Sequence, residues 1–440
     1  MYKRQDYREK IQKIVEYIKS GEKREEDFAL GFEAEYFVVD RESLKTLSYY
    51  GEGGISESME ELRKLGFDSR IEDGHILGLS KERVDISVEP ASQFELALES
   101  RSDIIELYDD YKKAMAEIIP IFEKKGQVLA AIGYHPRTKI DDIKIIPKKR
   151  YDYMYEYFKI NGGAFAHNMM KGTASFQLAI DYSSEEDFKQ KYFIANALSP
   201  FLYSFFDNSY IFEGEVYEKR NLRQMIWDNC DRSRTGVYDF SFDKDLTYEK
   251  YARKILDTDI IFVNENGEDT YKGCVKFADI MDTDSSEEVI FHALSIVFPD
   301  VRVKKYIEIR MPDEVPYPYN FACLALVKGL FYNKANLASL YEMFKDMDYP
   351  TLTNLKSRAE RYGLKATYKD KELYKWGIDF VKMAKKAIPN ESNFLNPLKE
   401  ILKDGKSPRD IYESLYKEDP RIALEEFSAN SSLRRMGWQR

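Results

Sequence analysis

The sequence predicts an α+β protein in which an antiparallel sheet, apolar on one face and polar on the other, packs against helices. Short segments that alternate apolar and polar residues predict the strands, and segments that repeat apolar residues every three or four positions predict the helices. Strands that are apolar on one face only are typical of antiparallel sheets packed on one layer of helices. From about residue 320 onward the pattern is mostly helical.

Two helices are predicted in the first third of the chain, over residues 10–20 and 101–124. In the second, the apolar residues that share one face are Ile104, Tyr108, Tyr111, Met115, Ile118 and Phe122. Pro120 is expected to kink its last turn. Near the carboxyl end, Gly405, Ser407 and Pro408 predict a helix stop followed by the cap and first turn of a new helix.

The strand predictions cover residues 30–39, 84–89, 93–96, 175–181 and 306–310. Successive side chains of a strand point to opposite faces, so in the first of them Glu33 and Glu35 lie opposite Phe32 and Ala34. The same alternation separates Gln177 from Phe176, and Glu308 and Arg310 from Ile307. We therefore expect one polar face that is rich in charged side chains.

If these strands pair in one sheet, its polar face carries the carboxylates of Glu33, Glu35, Glu89, Glu95 and Glu308. Five carboxylates on one surface repel one another unless cations neutralise them. Mg²⁺ prefers such oxygen ligands and keeps open positions for nucleotide phosphates. The residues thus indicate a candidate phosphoryl-transfer surface.

The alternative is that these side chains form an ordinary solvated strand face, which is the usual meaning of a single Glu-x-Glu pair. The sequence contains no GxxxxGK[ST] or GxGxxG segment, so neither a P-loop nor a Rossmann nucleotide site is expected. His75, His135, His167 and His292 lack the spacing of metal ligands and are expected to be structural or surface residues.

Composition narrows the class of protein further. The 440 residues include 67 Lys and Arg against 77 Asp and Glu, a net charge of −10, and 43% of residues are hydrophobic. The hydrophobic content makes a disordered chain unexpected. The negative net charge makes a nucleic-acid or membrane partner unexpected, although a cation could still bridge the protein to an anionic substrate. We expect a cytoplasmic protein and a single domain over residues 1–440, because no secretory signal, membrane span or linker is evident.

A series of motifs occurs in a specific order. They are Gly31-Phe-Glu-Ala-Glu35, Val88-Glu-Pro-Ala-Ser-Gln-Phe-Glu-Leu96, Gly133-Tyr-His-Pro136, Arg150-Tyr-Asp152, Met169-Met170 with Gln177, Asn208-Ser209 with Glu213-Gly214, Trp227 with Asp231-Arg-Ser-Arg-Thr-Gly236, and Lys304-Lys-Tyr-Ile-Glu-Ile-Arg310. Together they resemble the glutamate-cysteine ligases of the plant and proteobacterial type, from about residue 28 to at least residue 420.

This resemblance implies a fold like that of glutamine synthetase and the guanidino kinases, in which an antiparallel sheet cradles ATP, metal and substrates. It implies a Mg²⁺ ligand set of Glu33, Glu35, Glu89, Glu95, Gln177 and Glu308. It also implies that Arg310 and Arg234 act in catalysis and hold phosphate or substrate carboxylate, with Arg223 and Arg150 as further candidates for binding.

The implied reaction is the first step of glutathione biosynthesis. The γ-phosphoryl group of ATP is transferred to the γ-carboxylate of L-glutamate, and the amine of L-cysteine then attacks the γ-glutamyl phosphate. The expected partners are these small molecules only, without nucleic acid or membrane, and the expected assembly is a monomer or homodimer.

Two segments depart from the family pattern and leave the acceptor amine open. Where the family usually has Arg and Asn, this chain has Gly172 and Ala179, and residues 311–318 replace a glycine-rich segment. The alternatives are a carboxylate-amine ligase or small-molecule kinase of the same fold, or a binding protein without catalysis. Lys171 carries a charge next to Gly172, but strict alternation would send it to the other face.

Overall fold

The computed structural model describes residues 2–265 and 268–438. Within them, nine strands form one large antiparallel sheet. The strands are β1 (Leu30–Asp40), β2 (Asp68–Glu72), β3 (His75–Lys81), β4 (Val84–Val88), β5 (Phe94–Arg101), β6 (Gln127–Ala130), β7 (Phe176–Ile180), β8 (Val301–Val303) and β9 (Ile307–Ile309).

The order across the sheet is β8-β9-β7-β1-β5-β4-β3-β2, and β6 pairs with the end of β1 that β7 does not reach. Each of these pairs is antiparallel. The expected strands therefore do join one sheet, although they are spread between Leu30 and Ile309 along the chain. Strand β1 lies at its centre and carries residues of the polar face between β7 and β5.

Helices account for most of the remaining structure. Their bounds are Tyr2–Lys19, Ile55–Lys64, Ile104–Glu123, Lys149–Asn161, Ala166–Gly172, Glu185–Ala197, Ser199–Phe205, Leu222–Asp228, Tyr248–Leu256, Phe277–Ile280, Glu287–Ser295, Tyr319–Phe331, Lys334–Phe344, Tyr349–Tyr362, Leu373–Ala387, Asn396–Lys403, Pro408–Glu418, Pro420–Glu426 and Ala429–Arg435. The predicted helical carboxyl-terminal part thus begins at Tyr319. No helix of the described residues is long and apolar enough to cross a bilayer.

The apolar face of the sheet packs on two of these helices. Phe32 of β1 lies against Tyr111 of helix Ile104–Glu123 and against Phe321 of helix Tyr319–Phe331, with ring centroids 6.0 and 6.1 Å apart. The hydroxyls of Tyr36 and Tyr111 are 2.9 Å apart, so a buried hydrogen bond joins the same layers. The alternation in β1 decides which side chains enter this core.

The polar face is covered by shorter elements. Four helices and one strand of a hairpin contribute residues that line a cavity above this face. The helices are Lys149–Asn161, Ala166–Gly172, Leu222–Asp228 and Glu287–Ser295, and the strand is Asp259–Glu265, which pairs with Glu268–Lys276. The other short strands pair as Ile211–Phe212 with Glu215–Val216, Thr235–Gly236 with Phe298–Pro299, and Thr367–Tyr368 with Lys371–Glu372.

Side chains and glycines define several helix ends. Helix Ile104–Glu123 starts after Asp103, whose carboxylate accepts hydrogen bonds from the amides of Ile105 and Glu106; it includes Pro120, where the kink stays a prediction. The helix stop and start near residue 405 lie where the sequence predicts them. Ser407 caps helix Pro408–Glu418 in a capping box with Asp410. Gly405, just after the preceding helix, has a φ of +65°, which glycine adopts without strain.

Candidate active site

The register of the strands arranges the polar side chains in rows across the sheet. In one row, Glu35 of β1 lies directly opposite Glu95 of β5, and Glu95 lies opposite Ser87 of β4. In the next, Glu33 of β1 lies between Gln177 of β7 and Ala97 of β5. In the third, Glu308 of β9 lies between Arg302 of β8 and Ala179 of β7. The rows place carboxylates at the centre and cations toward the β8 edge.

A cavity of about 270 Å³ lies over this face. Its polar lining includes Glu33, Glu35, Glu89, Gln93, Glu95, Arg150, Tyr151, Thr173, Gln177, His292, Ser295, Arg302 and Arg310. Its apolar lining includes Met154, Met169, Met170, Trp227, Phe262, Ile296 and Phe298. We call it the main cavity.

A second cavity of about 200 Å³ adjoins it along the same face, and we call it the side cavity. Glu33 and Gln177 line both cavities, so they mark the boundary between them. The side cavity is also lined by Lys23, Asp181, Tyr306 and Glu308, and Ala179 leaves part of its wall without a polar group. The sheet therefore offers room for two neighbouring ligands.

The central carboxylates strain one another electrostatically. The pKa of Glu35 is raised to about 7, mainly by burial and secondly by the neighbouring Glu89 carboxylate. The pKa of Glu33 is also raised, mainly by burial and secondly by the Glu308 carboxylate. Burial and then the carboxylates of Glu89, Glu33 and Glu35 raise the pKa of Glu95 well above its usual value. This cluster favours a bound cation, because positive charge would let all of these groups ionise.

Neutral donors orient these carboxylates. The amide of Ser175 and the side chain of Gln177 donate to Glu35 at 2.6 and 3.1 Å. The Ser87 hydroxyl donates to Glu95 at 2.7 Å, and the Tyr151 hydroxyl lies 3.1 Å from both oxygens of Glu89. The remaining oxygen lone pairs are available to a ligand in the main cavity.

Glu308 has a different environment from the other carboxylates. Its oxygens lie 2.6 Å from Arg302, 2.7 Å from Lys304 and 3.2 Å from Arg310. Burial by itself would raise the pKa of Glu308, but these three cations lower it far below its usual value. The carboxylate is thus already the centre of a buried ion-pair cluster.

Two of the four predicted arginines line the main cavity. Arg310 donates to the side-chain oxygen of Gln177 and to Glu308, and its guanidinium lies 5.7 Å from the centre of the Trp227 ring. Arg150 enters from helix Lys149–Asn161 and stacks on the Tyr151 ring at 5.1 Å. Both present positive charge to a ligand over the sheet.

The other two predicted arginines lie outside the residues that line either cavity. Arg234 is 0% exposed and donates to Asp231, to the Tyr157 hydroxyl and to the carbonyls of Ile296 and Asp259. Arg223 donates to the carbonyls of Arg310, Met311 and Pro312. Their partners make both arginines internal braces of the cavity wall, and the sequence pattern alone could not show this.

Two further cations belong to the site: Arg302, which the sequence did not indicate, and Lys304, which lies in the last motif of the series but was not predicted as a site residue. Arg302 of β8 lines the main cavity and donates to Glu308 and to the carbonyl of Ser295 at 3.0 Å. Lys304 completes the cluster around Glu308. The available signal was the alternation of Val301, Arg302 and Val303 just before the predicted strand at 306–310.

The donor chemistry of the main cavity fits a hard divalent cation such as Mg²⁺. The carboxylate oxygens come from Glu33, Glu35, Glu89 and Glu95, and cations such as Arg310 offset only part of the effects that raise the pKa of Glu33 and Glu35. The amide oxygen of Gln177, at the boundary, already accepts a hydrogen bond from Arg310. Among the residues described, no three carboxylate, imidazole or thiol groups already form a tight cluster. The fit therefore rests on the donors around the cavity and not on a ready-made cage.

Gly172, where the family usually has Arg, does not line the main cavity. A Cβ atom at Gly172 would lie 2.4 Å from the ring of Tyr134, which in turn donates to Glu213. Tyr134 thus occupies the space that a side chain at residue 172 requires. Lys171 does not replace the missing arginine, because its ammonium lies 5.9 Å from the Tyr155 ring and outside the cavity lining.

Replacing Gly172 with Ala should therefore destabilise the protein by about 1–3 kcal/mol, the usual cost of overpacking. Gly31→Ala is the matched control, because a Cβ atom at Gly31 would meet its nearest neighbour, the Ala179 Cβ, at an ordinary 3.5 Å. Chemical denaturation of both variants measures the difference. Equal stability of the two variants would show that Tyr134 moves aside freely.

His135 is buried and holds a structural position. Its Nδ1 lies 2.9 Å from the Thr46 hydroxyl and its Nε2 lies 2.8 Å from the carbonyl of Lys171. Burial lowers the pKa of His135 to about 4. The folded protein therefore keeps this ring neutral at a pH where an unfolded chain binds a proton.

This difference predicts a pH effect. The neutral His135 ring contributes up to about 3 kcal/mol to the free energy of unfolding. This contribution is fully present above about pH 6.5 and is lost as the pH falls toward 4. We expect wild type to exceed His135→Gln in unfolding free energy at pH 7, and the gap to shrink at pH 4.5. Denaturant titrations of both proteins at the two pH values measure the gap, and a constant gap would contradict a neutral buried ring.

Comparison with known proteins identifies the family of this chain. The model of glutamate-cysteine ligase family 2 matches residues 29–426. Over 418 residues the chain is 28% identical to glutamate-cysteine ligase A, chloroplastic, of Oryza sativa subsp. indica, covering 92% of this chain and 84% of the relative. It is equally identical to the chloroplastic glutamate-cysteine ligase of Nicotiana tabacum, covering 79% of that protein.

A similar fold occurs in a crystal structure of the glutamate-cysteine ligase of Francisella tularensis in complex with AMP. The TM-score is 0.58 at 12% sequence identity, and the match covers 94% of this chain and 89% of the other. This likeness confirms the predicted fold class, an antiparallel sheet packed against helices. The family match covers most of the chain and includes every predicted site residue, so the chain belongs to glutamate-cysteine ligase family 2.

Proposed function

We propose that the main and side cavities carry out ATP-dependent ligation of the γ-carboxylate of L-glutamate to the amine of L-cysteine. Family membership supports the ligase activity that the resemblance implied. The observation that carries the assignment of the site is the charge pattern on the sheet. Four carboxylates and a separate group of cations, Arg302, Lys304 and Arg310, lie side by side over the same face.

Phosphoryl transfer to a carboxylate needs such a pattern, because two anionic groups must approach each other. The guanidinium groups of Arg302 and Arg310 would hold phosphate or carboxylate oxygens of the substrates, since Arg offers a planar set of donors. Arg150 lies at the same cavity and would bind a second anionic group. Catalysis then comes mainly from positioning and electrostatic stabilisation.

Mg²⁺ would be held on the central rows of the sheet by four carboxylates and one amide, those of Glu33, Glu35, Glu89, Glu95 and Gln177. When bound, Mg²⁺ neutralises charge on the phosphate oxygens during transfer. Glu308 was predicted as a further ligand, and we propose that its main task is to orient Arg302 and Arg310 through their ion pairs. Arg234 and Arg223 would act indirectly, by bracing the wall that carries Arg310.

The apolar lining has its own task. The γ-glutamyl phosphate is an activated acyl group that water would hydrolyse if it reached the site. Met154, Met169, Met170 and Trp227 cover part of the cavity and would limit the access of water. The same wall would favour an acceptor with a small apolar or thiol side chain over a charged one.

The test is ADP release by the purified protein with ATP, Mg²⁺ and L-glutamate, with each amino acid added in turn and the product identified by mass. We expect L-cysteine to stimulate ADP release and to appear in a γ-glutamyl amide. Stimulation by another amine only would assign a different acceptor. If glutamate alone stimulates ADP release and no amine is needed, the protein is a kinase. If ADP is released under no condition, the proposal that the protein is an enzyme is refuted.

The remaining predictions concern the cell and the assembly. A cytoplasmic location, a monomer or homodimer, a single domain over residues 1–440 and the absence of nucleic-acid or membrane partners stay predictions. Light scattering of the purified protein would measure the assembly state.

A further inference from the structure

A buried lysine connects the helical carboxyl-terminal part of the chain to the wall of the main cavity. Among the described residues that follow Arg310, none lines the main cavity or the side cavity. Lys356, in helix Tyr349–Tyr362, is 4% exposed. Its Nζ lies 2.6 Å from Oδ1 of Asp228 and 2.9 Å from Oδ2 of Asp300. Lys356 therefore joins two carboxylates that belong to different elements of the cavity wall.

The first carboxylate ties Lys356 to the element that carries Trp227. Asp228 is the last residue of helix Leu222–Asp228, so it directly follows Trp227, which lines the main cavity. A second contact joins the same two helices, because the side chain of Gln224 donates to the carbonyl of Lys356 at 3.1 Å. The end of this short helix is therefore fixed against the carboxyl-terminal part of the chain.

The second carboxylate ties Lys356 to the strands that carry two arginines of the main cavity. Asp300 is buried and directly precedes strand β8, in which Arg302 lies. Its backbone carbonyl accepts a hydrogen bond from the amide of Arg310 at 3.0 Å. Its carboxylate also accepts hydrogen bonds from two neighbouring hydroxyl groups. A shift of Asp300 would therefore move the backbone of both arginines.

The bridge depends on the charge of the lysine. Burial by itself would lower the pKa of Lys356, but the carboxylates of Asp228 and Asp300 raise it above its usual value. The ammonium group therefore stays charged at neutral pH. Without it, the two carboxylates would repel each other across the wall, because Asp300 already raises the pKa of Asp228 in addition to the effect of burial. The lysine thus holds together two elements that would otherwise separate.

From these contacts we propose that Lys356 is a positioning residue of the ligase. By pairing with both carboxylates, it keeps Trp227, Arg302 and Arg310 in the arrangement that phosphoryl transfer needs. Phosphoryl transfer depends mainly on positioning and electrostatic stabilisation, so a displaced guanidinium group lowers the rate more than it weakens substrate binding. This inference rests on the proposed function.

The substitution Lys356→Met removes the ammonium group and keeps a side chain of nearly the same length. We expect the kcat of ADP release to fall by about 10–100-fold, while KM for ATP and glutamate changes by less than about threefold. A normal kcat, or a rise in KM without a fall in kcat, would overturn the proposal.

Lys328→Met is the matched control for Lys356→Met. Lys328 lies on another carboxyl-terminal helix, Tyr319–Phe331, and pairs with the buried Glu391 at 2.6 Å. Neither residue of this pair lines the main cavity or the side cavity. Lys328→Met should therefore leave kcat unchanged. An equal loss of kcat in both variants would mean that any broken ion pair of this region lowers turnover, and it would overturn the proposal.

A double substitution separates positioning from a loss of stability. Lys356→Met leaves Asp228 and Asp300 unpaired, so it should lower the midpoint of chemical denaturation. Lys356→Met combined with Asp228→Asn removes their repulsion, so the midpoint should recover while kcat stays low, because the bridge is absent from both proteins. The double variant also serves if Lys356→Met alone fails to fold. A kcat that recovers together with the midpoint would overturn the proposal.

A double-mutant cycle identifies a group through which Lys356 acts. Arg310→Lys keeps the positive charge and loses the planar guanidinium. In this background, the loss of kcat caused by Lys356→Met should be at least about threefold smaller than in wild type, because the two substitutions impair the same interaction. A general structural effect would multiply the two losses in full, and that result would overturn the proposal.

The same assays separate this proposal from the proposed function. If wild type releases ADP and Lys356→Met releases it equally fast, the positioning role fails alone. If wild type releases no ADP under any condition, the ligase assignment fails, and the positioning role fails with it.

Discussion

Replacing Glu95 with Gln should lower kcat by about 10²–10³-fold, the usual effect of removing one group that stabilises transition-state charge. Glu95 lies directly opposite Glu35 in the sheet and lines the main cavity, so it is one of the proposed Mg²⁺ ligands. Gln keeps the shape and can still accept the hydrogen bond from Ser87. Steady-state ADP release measures the loss.

The same substitution should stabilise the protein in the absence of Mg²⁺. The raised pKa of Glu95 means that stability is lost as the pH rises above the ordinary value of a glutamate, and Gln removes this loss. We expect a gain on the order of 1 kcal/mol in unfolding free energy at pH 7.5 and little gain at pH 4.5. Opposite changes in stability and activity are the signature of a group kept for its ligand.

Glu99→Gln is the matched control for Glu95. Glu99 lies on the same strand, is exposed, and pairs with Arg83 at 3.1 Å on the surface. Glu99→Gln should leave kcat unchanged, and it should change the free energy of unfolding by no more than about 1 kcal/mol. Normal turnover in Glu95→Gln, with or without an effect of Glu99→Gln, would refute the proposed ligand role.

Replacing Glu308 with Gln should lower the free energy of unfolding by about 3–5 kcal/mol, because this is the usual cost of removing one partner of a buried ion pair. Arg302, Lys304 and Arg310 would then lie close together with no anion between them. Since Arg302 and Arg310 line the main cavity, turnover should fall as well. Chemical denaturation and ADP release measure the two effects.

Glu287→Gln provides the comparison for Glu308, because Glu287 pairs with Lys305 at 2.7 Å but on the surface. Exposed ion pairs contribute about 0–1 kcal/mol, so this variant should keep nearly full stability. The two substitutions remove ion pairs of similar length in different surroundings. If they cost the same, the cluster around Glu308 is not the brace that we propose.

The alternation of the sequence is sufficient to predict the two faces of the sheet. Phe32 and Ala34 lie in the core and Glu33 and Glu35 line the cavity, because a strand has a period of two whatever its partners are. The order of the motifs likewise indicates the family, which the match over residues 29–426 confirms. These features depend on local geometry and residue type, both of which are present in the sequence.

The tertiary structure alone decides which charged side chains line the main cavity. The motifs indicate Arg234 and not Arg302, yet Arg234 is satisfied by Asp231, Tyr157 and backbone carbonyls, while Arg302 lines the main cavity. Glu308 looks like the other carboxylates but lies among three cations. Alternation determines the direction of a side chain, but its partners come from the strand register and the packing of distant elements, and these partners determine its charge and its role.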